Sequence, residues 1–492
     1  MPPKKLSTYR QKRDFEATPE PAGKATKRRS KKPRFVVQEH HARSLHWDLR
    51  LERDGVLVSW AIPKGIPTDP KRNHLAVHVE DHPLEYIDFK GEIPKGEYGA
   101  GKVRIWDAGT YEVHKFRDNE VMVSFNGKRL KGKYVLFQTR GKNWMIHRMD
   151  PPEPGREPMP DRIVPMMARL AKLPRDDQSW SYEIKWDGVR AIAYCQGGRI
   201  RLTSRNLRDV TSQYLELRAL GRELGSREVV LDGEIVAFDG DERPNFGLLQ
   251  HRMHVGSEST VRRLMKSIPV VYMVFDVLYL NGHSTMERTY EERRELLREL
   301  DLNGANWRTP ADHVGDGKAM LEASREQGLE GIIAKRLGSR YEPGKRSGAW
   351  LKVKNRPSQE VVVGGWLPGQ GRREERIGSL AVGYYDTSRA GAERKGVEQH
   401  LRYAGQVGTG FKEDDLNRLS QLLAPLRRGT SPFEGRQPPK GTIFVEPRLV
   451  VEVEFAHWTR TRTLRAPAYK GVRDDKDPQD VVLELEESKA AA

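Results

Sequence analysis

A lysine amine attacks phosphorus only when it is deprotonated and held in place, and one lysine here has the neighbours for that work. In Glu183-Ile184-Lys185-Trp186-Asp187-Gly188-Val189-Arg190 the amine stands among ionisable groups at an expected strand-to-turn junction. Neighbouring cations and partial desolvation hold a lysine pKa down, which makes Lys185 a candidate nucleophile. Arg190 supplies positive charge near the same phosphate, and Gly188 lets backbone approach a ligand closely. Downstream, in order, come Ser204-Arg205-Asn206, Asp232-Gly233-Glu234, Phe275-Asp276, Glu330-Gly331-Ile332-Ile333-Ala334-Lys335 and Trp350-Leu351-Lys352-Val353-Lys354. Period-2 alternation puts the Lys352 and Lys354 amines on one strand face, a geometry for gripping adjacent phosphates. Glu234 follows an apolar strand and Glu330 precedes one. Carboxylates at strand ends beside such lysines suit a hard cation such as Mg2+.

A second constellation lies nearer the N-terminus. His40, His41, His46, His74, His78, His82, His114 and His147 place eight of the 14 histidines in the first third of the chain. In His46-Trp47-Asp48-Leu49-Arg50-Leu51, alternation puts Trp47, Leu49 and Leu51 on one face and His46, Asp48 and Arg50 on the other. His40 stands just upstream. His74-Leu75-Ala76-Val77-His78-Val79-Glu80 alternates likewise, and His82 follows. Two imidazoles and a carboxylate suit a transition metal such as Mn2+ or Zn2+. Arginine and further histidine beside it describe a phosphate-processing pocket.

The elements that position these groups fall into three blocks. Residues 1–33 are rich in Lys, Arg and Pro and form a basic, flexible arm. From 34 to 149, short strands between Gly/Pro turns (Arg34–Gln38, Leu45–Glu52, Val56–Ile62, His74–Glu80, Lys102–Trp106, Lys133–Thr139, Trp144–Arg148) predict an all-β barrel or sandwich. A Pro-rich stretch at 150–160 cannot build a core and reads as a linker. Residues 161–356 mix strands with helices such as Tyr290–Leu300 and Lys318–Gln327, an α+β pattern. Strands return over 357–480 (Glu360–Gly365, Ser379–Tyr385, Leu401–Gly405, Val450–Trp458) as a small β-barrel, and 481–492 form a tail.

The formal net charge of +17 points to a polyanionic partner, because Lys and Arg that neutralise phosphates release condensed counterions. No apolar run reaches the length of a membrane span, and the first 32 residues lack the apolar centre of a signal peptide. Cys195 is the only cysteine, which excludes an intramolecular disulfide and fits a reducing compartment.

The ordered series from Lys185 to Lys354 resembles the motifs of the covalent nucleotidyltransferases: ATP-dependent DNA ligases, RNA ligases and mRNA capping enzymes. The resemblance implies that Lys185 attacks the α-phosphate of ATP, giving lysyl-AMP and pyrophosphate. AMP then passes to a 5′-phosphate, and a 3′-hydroxyl displaces it. By resemblance, Glu183, Arg190 and Arg205 bind nucleotide or 5′-phosphate, and Phe275 stacks on adenine. Glu234 and Glu330 look like the ribose and metal residues, with Mg2+ or Mn2+ as the ion. Lys352 and Lys354 look like α-phosphate ligands. The last block resembles an OB-fold, and in Leu464-Arg465-Ala466-Pro467-Ala468-Tyr469-Lys470-Gly471-Val472-Arg473-Asp474-Asp475-Lys476 the residues Arg473 and Lys476 are candidates to orient pyrophosphate. Phe246-Gly247-Leu248-Leu249-Gln250-His251-Arg252-Met253 resembles the DNA-ligase branch rather than RNA ligases or capping enzymes.

The first block resembles the 3′-phosphoesterase module of bacterial ligase D, the end-joining ligase that works with Ku. The resemblance rests on Val37-Gln38-Glu39-His40-His41-Ala42-Arg43-Ser44-Leu45-His46-Trp47-Asp48-Leu49-Arg50-Leu51-Glu52, Trp60-Ala61-Ile62-Pro63-Lys64-Gly65, Glu80-Asp81-His82-Pro83-Leu84-Glu85-Tyr86 and Gly96-Glu97-Tyr98-Gly99-Ala100-Gly101. It implies Mn2+-dependent trimming of 3′-ribonucleotides or 3′-phosphates. His40, His46 and Asp48 would be metal ligands, Arg50, Lys64 and His82 phosphate contacts, and Tyr86 a supporting residue. His74 stands where an arginine is expected, which weakens the phosphate grip. Arg13-Asp14-Phe15 and Thr18-Pro19-Glu20-Pro21 match the module's leader, with Asp14 and Glu20 read as solvated charge. No segment matches a primase-like polymerase, so gap filling falls to a separate protein. The expected substrate is DNA with nicks or double-strand ends, in a bacterial cytoplasm at the nucleoid.

Overall fold

The computed structural model describes residues 6–23, 32–152, 154–369 and 376–484. Its first unit is built from β1 (Arg34–His41), β2 (Leu45–Arg53), β3 (Val56–Ile62), β4 (His74–His78), β5 (Gly91–Ile93), β6 (Gly101–Arg117), β7 (Glu120–Asn126), β8 (Lys131–Arg140) and β9 (Asn143–Arg148). The strand order is β1-β2-β3-β4-β9-β8-β7-β6, and β6 pairs back onto β1, closing an eight-stranded antiparallel barrel with β5 on its flank. Closure leaves no free edge among the eight. Trp47, Leu49 and Leu51 fill the interior with Trp60, Tyr111 and Phe125, so the alternating polar residues of β2 face outward. The sequence reading found the start of β6 but missed the β6–β7 hairpin. On β6 only Val103, Asp107 and Tyr111 are buried, too sparse a pattern to read as alternation.

The expected flexible arm is corrected over residues 6–23. Helix α1 (Ser7–Gln11) buries Tyr9 completely against Val36, Leu57, Tyr86 and Ile87 on the outside of the barrel. Glu20, expected to be solvated, is 4% exposed, pairs with Arg13 at 2.8 Å and accepts a hydrogen bond from the Tyr86 hydroxyl at 2.8 Å. Asp14 is exposed as expected. Residues 1–5 and 24–31 lie outside the described residues.

The middle unit is α+β, as expected. One sheet holds β10 (Arg169–Leu170), the strands Trp350–Lys354 and Gly331–Arg336, β11 (Trp180–Ile184) and His313–Val314. The other runs β13 (Arg199–Ser204), β12 (Val189–Gln196), β14 (Val229–Ala237) and β15 (Val270–Leu280), followed by two short strands. Ten of the 11 residues of β15 are buried, because apolar clusters cover both of its faces. Helix Tyr290–Glu299, started by a Thr289/Glu292 capping box, packs on β15.

The last unit threads Ser358–Pro368, Ile377–Tyr385, Leu401–Val407, Ile443–Glu454 and Ala468–Val472 into one sheet. A parallel bridge from Thr409 to Ala468 joins its third and fifth strands, giving the five-stranded barrel order of an OB-fold. The strand expected at Val450–Trp458 begins at Ile443 and ends at Glu454. Pro447 breaks the apolar pattern there, and the pairing resumes beyond a register shift. Helix Glu413–Leu423 was missed within this strand-rich block.

The units touch. Arg156 of the linker bonds the Thr68 hydroxyl at 2.9 Å and pairs with Glu228, and Trp106 Nε1 donates to Ser226 at 2.6 Å. Across the other junction, Asn206 donates to the Asp475 carbonyl at 2.9 Å and Gln250 to that of Val472 at 2.8 Å. Among the described residues no helix is long and apolar enough to cross a membrane.

Candidate active sites

Antiparallel register makes the first site. His40 lies opposite His46 and Gln38 opposite Asp48, so the outward side chains of β1 and β2 converge. One ligand atom each from His40, His46 and Asp48 lies within 4.8 Å of the others, the one such three-residue group among the described residues. His40 Nε2 meets the Gly99 carbonyl at 2.8 Å, and His46 Nδ1 meets the Ser44 carbonyl at 3.0 Å. A carbonyl can only accept, so each of those nitrogens donates. The opposite nitrogens, His40 Nδ1 and His46 Nε2, sit 3.6 and 3.7 Å from Asp48 and are bare in the neutral rings. Metal-binding histidines are typically oriented this way, so the three residues fit a divalent ion. Burial alone would raise the Asp48 pKa, but Arg50 and the two imidazoles outweigh it and hold the carboxyl well below its usual range.

Arg50 is fixed at three points: Asp48 at 2.9 Å, Gln38 at 2.7 Å and the Ser59 hydroxyl at 3.0 Å. His82, 2% exposed, donates from Nδ1 to the Glu80 carbonyl at 2.8 Å, while its Nε2 lies 3.2 Å from Arg13. Burial, with Arg50 and Arg13 nearby, holds its pKa well below the ordinary value. His82 is therefore a neutral acceptor for Arg13, and it does not present a free donor to phosphate as expected. Lys64 is exposed and lies beside His74. His74 is itself occupied, with Nδ1 donating to the Gly65 carbonyl at 2.7 Å. Tyr86 backs the site, its ring 4.6 Å from the Arg50 guanidinium.

Sequence reasoning missed Gln38, Ser59, Arg13 and Glu80. Gln38 was within reach, since it shares the outward face of β1 with His40. Arg13 carries no periodic signal and arrives only because α1 docks.

The second site is an open cleft between the middle and last units. It gathers Glu183, Lys185, Arg190, Arg205, Glu234, Phe275, Glu330, Lys352 and Lys354 from one side and Arg473 and Lys476 from the other. Lys185 follows β11, its amide bonded to the Gly331 carbonyl at 3.0 Å. A Cβ on Gly188 would stand 2.2 Å from the Ile235 carbonyl oxygen, so the turn after the lysine closes only with glycine. The Lys185 amine pairs with Glu330, whose other oxygen takes Lys354 at 3.0 Å. Burial works to raise the Glu330 pKa, but the two lysines more than reverse it. Asp187 is pushed up to about 7 by burial and by the nearby charge of Glu330, and burial pushes Glu234 to about 7.

Glu234 and Glu330 both line the cleft, and neither belongs to a group of three metal-ligating side chains among the described residues. Glu330 is committed to Lys185 and Lys354. Arg190 is likewise anchored, to Asp232 at 2.6 and 2.7 Å, with its guanidinium 4.5 Å from the Phe275 ring. Glu183 binds Lys335 at 2.9 Å, and that amine lies 4.3 Å from the same ring. Opposite, Arg473 pairs with Asp475 at 2.9 Å and Glu452 at 2.8 Å, and Lys476 with Glu360 at 2.9 Å. The expected tail also enters the cleft: Glu484 takes Lys352 at 2.5 Å and Arg346 at 2.9 Å. Residues 485–492 lie outside the described residues.

Three family models match consecutive parts of the chain: the DNA ligase D 3′-phosphoesterase domain over residues 38–138, the ATP-dependent DNA ligase domain over 165–354 and the ATP-dependent DNA ligase C-terminal region over 373–476. The multifunctional non-homologous end joining protein LigD of Mycolicibacterium smegmatis is 42% identical over 98% of this chain. The chain belongs to the ligase D family. The LigD of Mycobacterium tuberculosis is 43% identical over 98% of this chain, and this ligase D-family chain spans about 61% of the length of each of these relatives. A solved structure, mycobacterial DNA ligase D complexed with ATP and MES, is 38% identical and covers 65% of this chain and 98% of its own, with a TM-score of 0.48.

Proposed function

We propose that this ligase D-family chain is an ATP-dependent DNA ligase with an attached metal-dependent 3′-end-healing activity. The observation that supports sealing best is that motif residues spread over nearly 300 positions line one cleft around a single lysine. In the proposed reaction the neutral Lys185 amine, released from Glu330, attacks the α-phosphorus of ATP, and the bond to pyrophosphate breaks. Lys352 and Lys354 hold phosphate oxygens, while Arg473 and Lys476 face the departing pyrophosphate. A DNA 5′-phosphate then takes the AMP, and a 3′-hydroxyl displaces it to form the phosphodiester. A divalent ion, Mg2+ or Mn2+, accompanies the nucleotide.

In the first domain His40, His46 and Asp48 hold the metal, for which we propose Mn2+. When bound, it polarises a phosphoryl oxygen. Arg50, locked by Gln38, Ser59 and Asp48, presents fixed positive charge beside it. The domain order then has chemical sense, because trimming produces the 3′-hydroxyl that sealing consumes. The relatives are named as non-homologous end joining proteins. By that likeness we place this chain in the same repair, with Ku at the DNA ends, a separate polymerase for gaps and a cytoplasmic, nucleoid-associated location.

The test uses nicked duplexes with clean or 3′-ribonucleotide ends. Lys185→Ala is expected to lose labelled lysyl-AMP and all sealing from ATP. His46→Ala is expected to lose trimming while clean nicks are still sealed. Trimming at the normal rate by His46→Ala with Mn2+ would overturn the metal assignment.

A further inference from the structure

Tyr98 is the one aromatic among the exposed large hydrophobic side chains of the described residues, at 48% exposure. Its position is set by the metal cluster. The loop between β5 and β6 is pinned to the end of β1, where the Gly99 carbonyl accepts from His40 Nε2 at 2.8 Å. Gly101 packs so tightly there that a Cβ would come within 2.3 Å of the His41 carbonyl oxygen. Tyr98 is thus one residue from a group bonded directly to a metal-ligand histidine, on a loop with little freedom to move.

The protein also holds the ring itself. Lys12 donates to the Tyr98 hydroxyl at 3.2 Å and lies 4.5 Å from the ring centroid, while the Arg13 guanidinium is 5.4 Å away. Both cations are tied down by Glu80, Lys12 at 2.9 Å and Arg13 at 3.2 Å. Arg13 also reaches His82, so the same side chain that braces the ring belongs to the site. An exposed tyrosine that served only to keep the loop hydrated would not need two anchored cations against it. An aromatic fixed at the rim of a phosphate-processing site, with nearly half its surface open, is suited to stacking. Every nucleobase has a π-face, so such a surface binds bases without reading their sequence.

We propose that Tyr98 is a nucleobase platform of the first domain, on which the base at or next to the 3′ end stacks while its phosphate lies at His40, His46 and Asp48. The substrate class this defines is a base-bearing 3′ end of a nucleic acid strand, as opposed to any small phosphoester. The proposal rests on the 3′-end-healing reading above.

The test compares Tyr98→Ala, Tyr98→Phe and the unaltered chain on oligonucleotides ending in a 3′-ribonucleotide, with and without bases at the last two positions. Stacking of this kind is lost on truncation, so Tyr98→Ala is expected to raise KM by about 10-fold or more with kcat changed less than about twofold. Tyr98→Phe keeps the ring and should behave as the unaltered chain. On the base-free end the penalty should vanish. A second readout needs no turnover: fluorescence of a 3′-terminal 2-aminopurine should be quenched by the unaltered chain and by Tyr98→Phe, and not by Tyr98→Ala. An unchanged KM and intact quenching in Tyr98→Ala would overturn the platform. So would an equal defect on base-free ends, or a Phe variant as impaired as the Ala variant. If His46→Ala still trims, the healing reading fails instead, and the quenching result still stands or falls by itself.

Discussion

Replacing Glu484 by glutamine is expected to strengthen ATP use, although the residue belongs to no nucleotide motif. Its carboxylate holds Lys352 at 2.5 Å and Arg346 at 2.9 Å, the positions at which a triphosphate would need cations. The segment itself is kept in place by other bonds. The Glu484 amide donates to Gln359 at 3.0 Å, and the Val481 carbonyl accepts from the Tyr385 amide at 2.8 Å. Glu484→Gln therefore removes the charge without removing the segment. The Lys352 pair is largely buried, with side chains 13% and 12% exposed, and a charge-assisted bond of that kind contributes about 1.5–3 kcal/mol. Arg346 is 38% exposed, so its pair adds only ~0–1 kcal/mol. ATP must displace this interaction, and glutamine retains part of it as a neutral hydrogen bond. A net gain of about 1–2 kcal/mol corresponds to a roughly 5- to 30-fold lower apparent KM for ATP. The assay is the initial rate of labelled lysyl-AMP formation on Lys185 against ATP concentration. A KM that rises, or that stays within twofold, would refute the reasoning: either Glu484 does not compete with ATP or Lys352 does not bind its phosphates.

Two other outcomes follow from buried charges. Burial and the neighbouring Arg205 lower the Lys476 pKa to about 8. Its cationic form is present below that value and lost as pH rises through it. The kcat/KM for lysyl-AMP formation should therefore fall above about pH 8. Lys476→Arg should move that alkaline limb upward, and a limb that stays in place would remove Lys476 from the pyrophosphate step. Glu20→Ala takes one of two carboxylates from Arg13, which is 5% exposed and keeps Glu80 at 3.2 Å, and leaves a buried guanidinium nitrogen unpaired at a cost of about 1–3 kcal/mol. The melting transition of the first domain should drop and 3′ trimming should fail, with sealing of clean nicks retained. An unshifted transition would mean that the leader does not hold the domain together.

Local geometry accounts for what the sequence revealed. Strand alternation on β2 separated His46, Asp48 and Arg50 from Trp47, Leu49 and Leu51 because a period of two needs no knowledge of distant chain. The same rule on β1 leads to Gln38, which escaped because the strand was ended at Gln38 and not at His41, hiding the face it shares with His40. Helix Glu413–Leu423 was legible too, with Leu416, Leu419 and Leu423 buried at helical spacing, but the strands around it drew the reading away. Glu20 and Glu484 are a different case. Nothing periodic marks either one, and each lay in a stretch whose composition suggests loose chain, a basic arm and a C-terminal tail. Each becomes a site residue only when its segment docks. The two play similar parts: Glu20 pairs with Arg13 beside the metal cluster, and Glu484 pairs with Lys352 inside the nucleotide cleft. In both places a docked segment brings a carboxylate onto a cation at the site. The difference is burial. Glu20 is sealed under Tyr86 and completes its site, whereas Glu484 lines an open cleft and must yield to the nucleotide. The effects of the two substitutions should therefore have opposite signs, loss for Glu20→Ala and gain for Glu484→Gln.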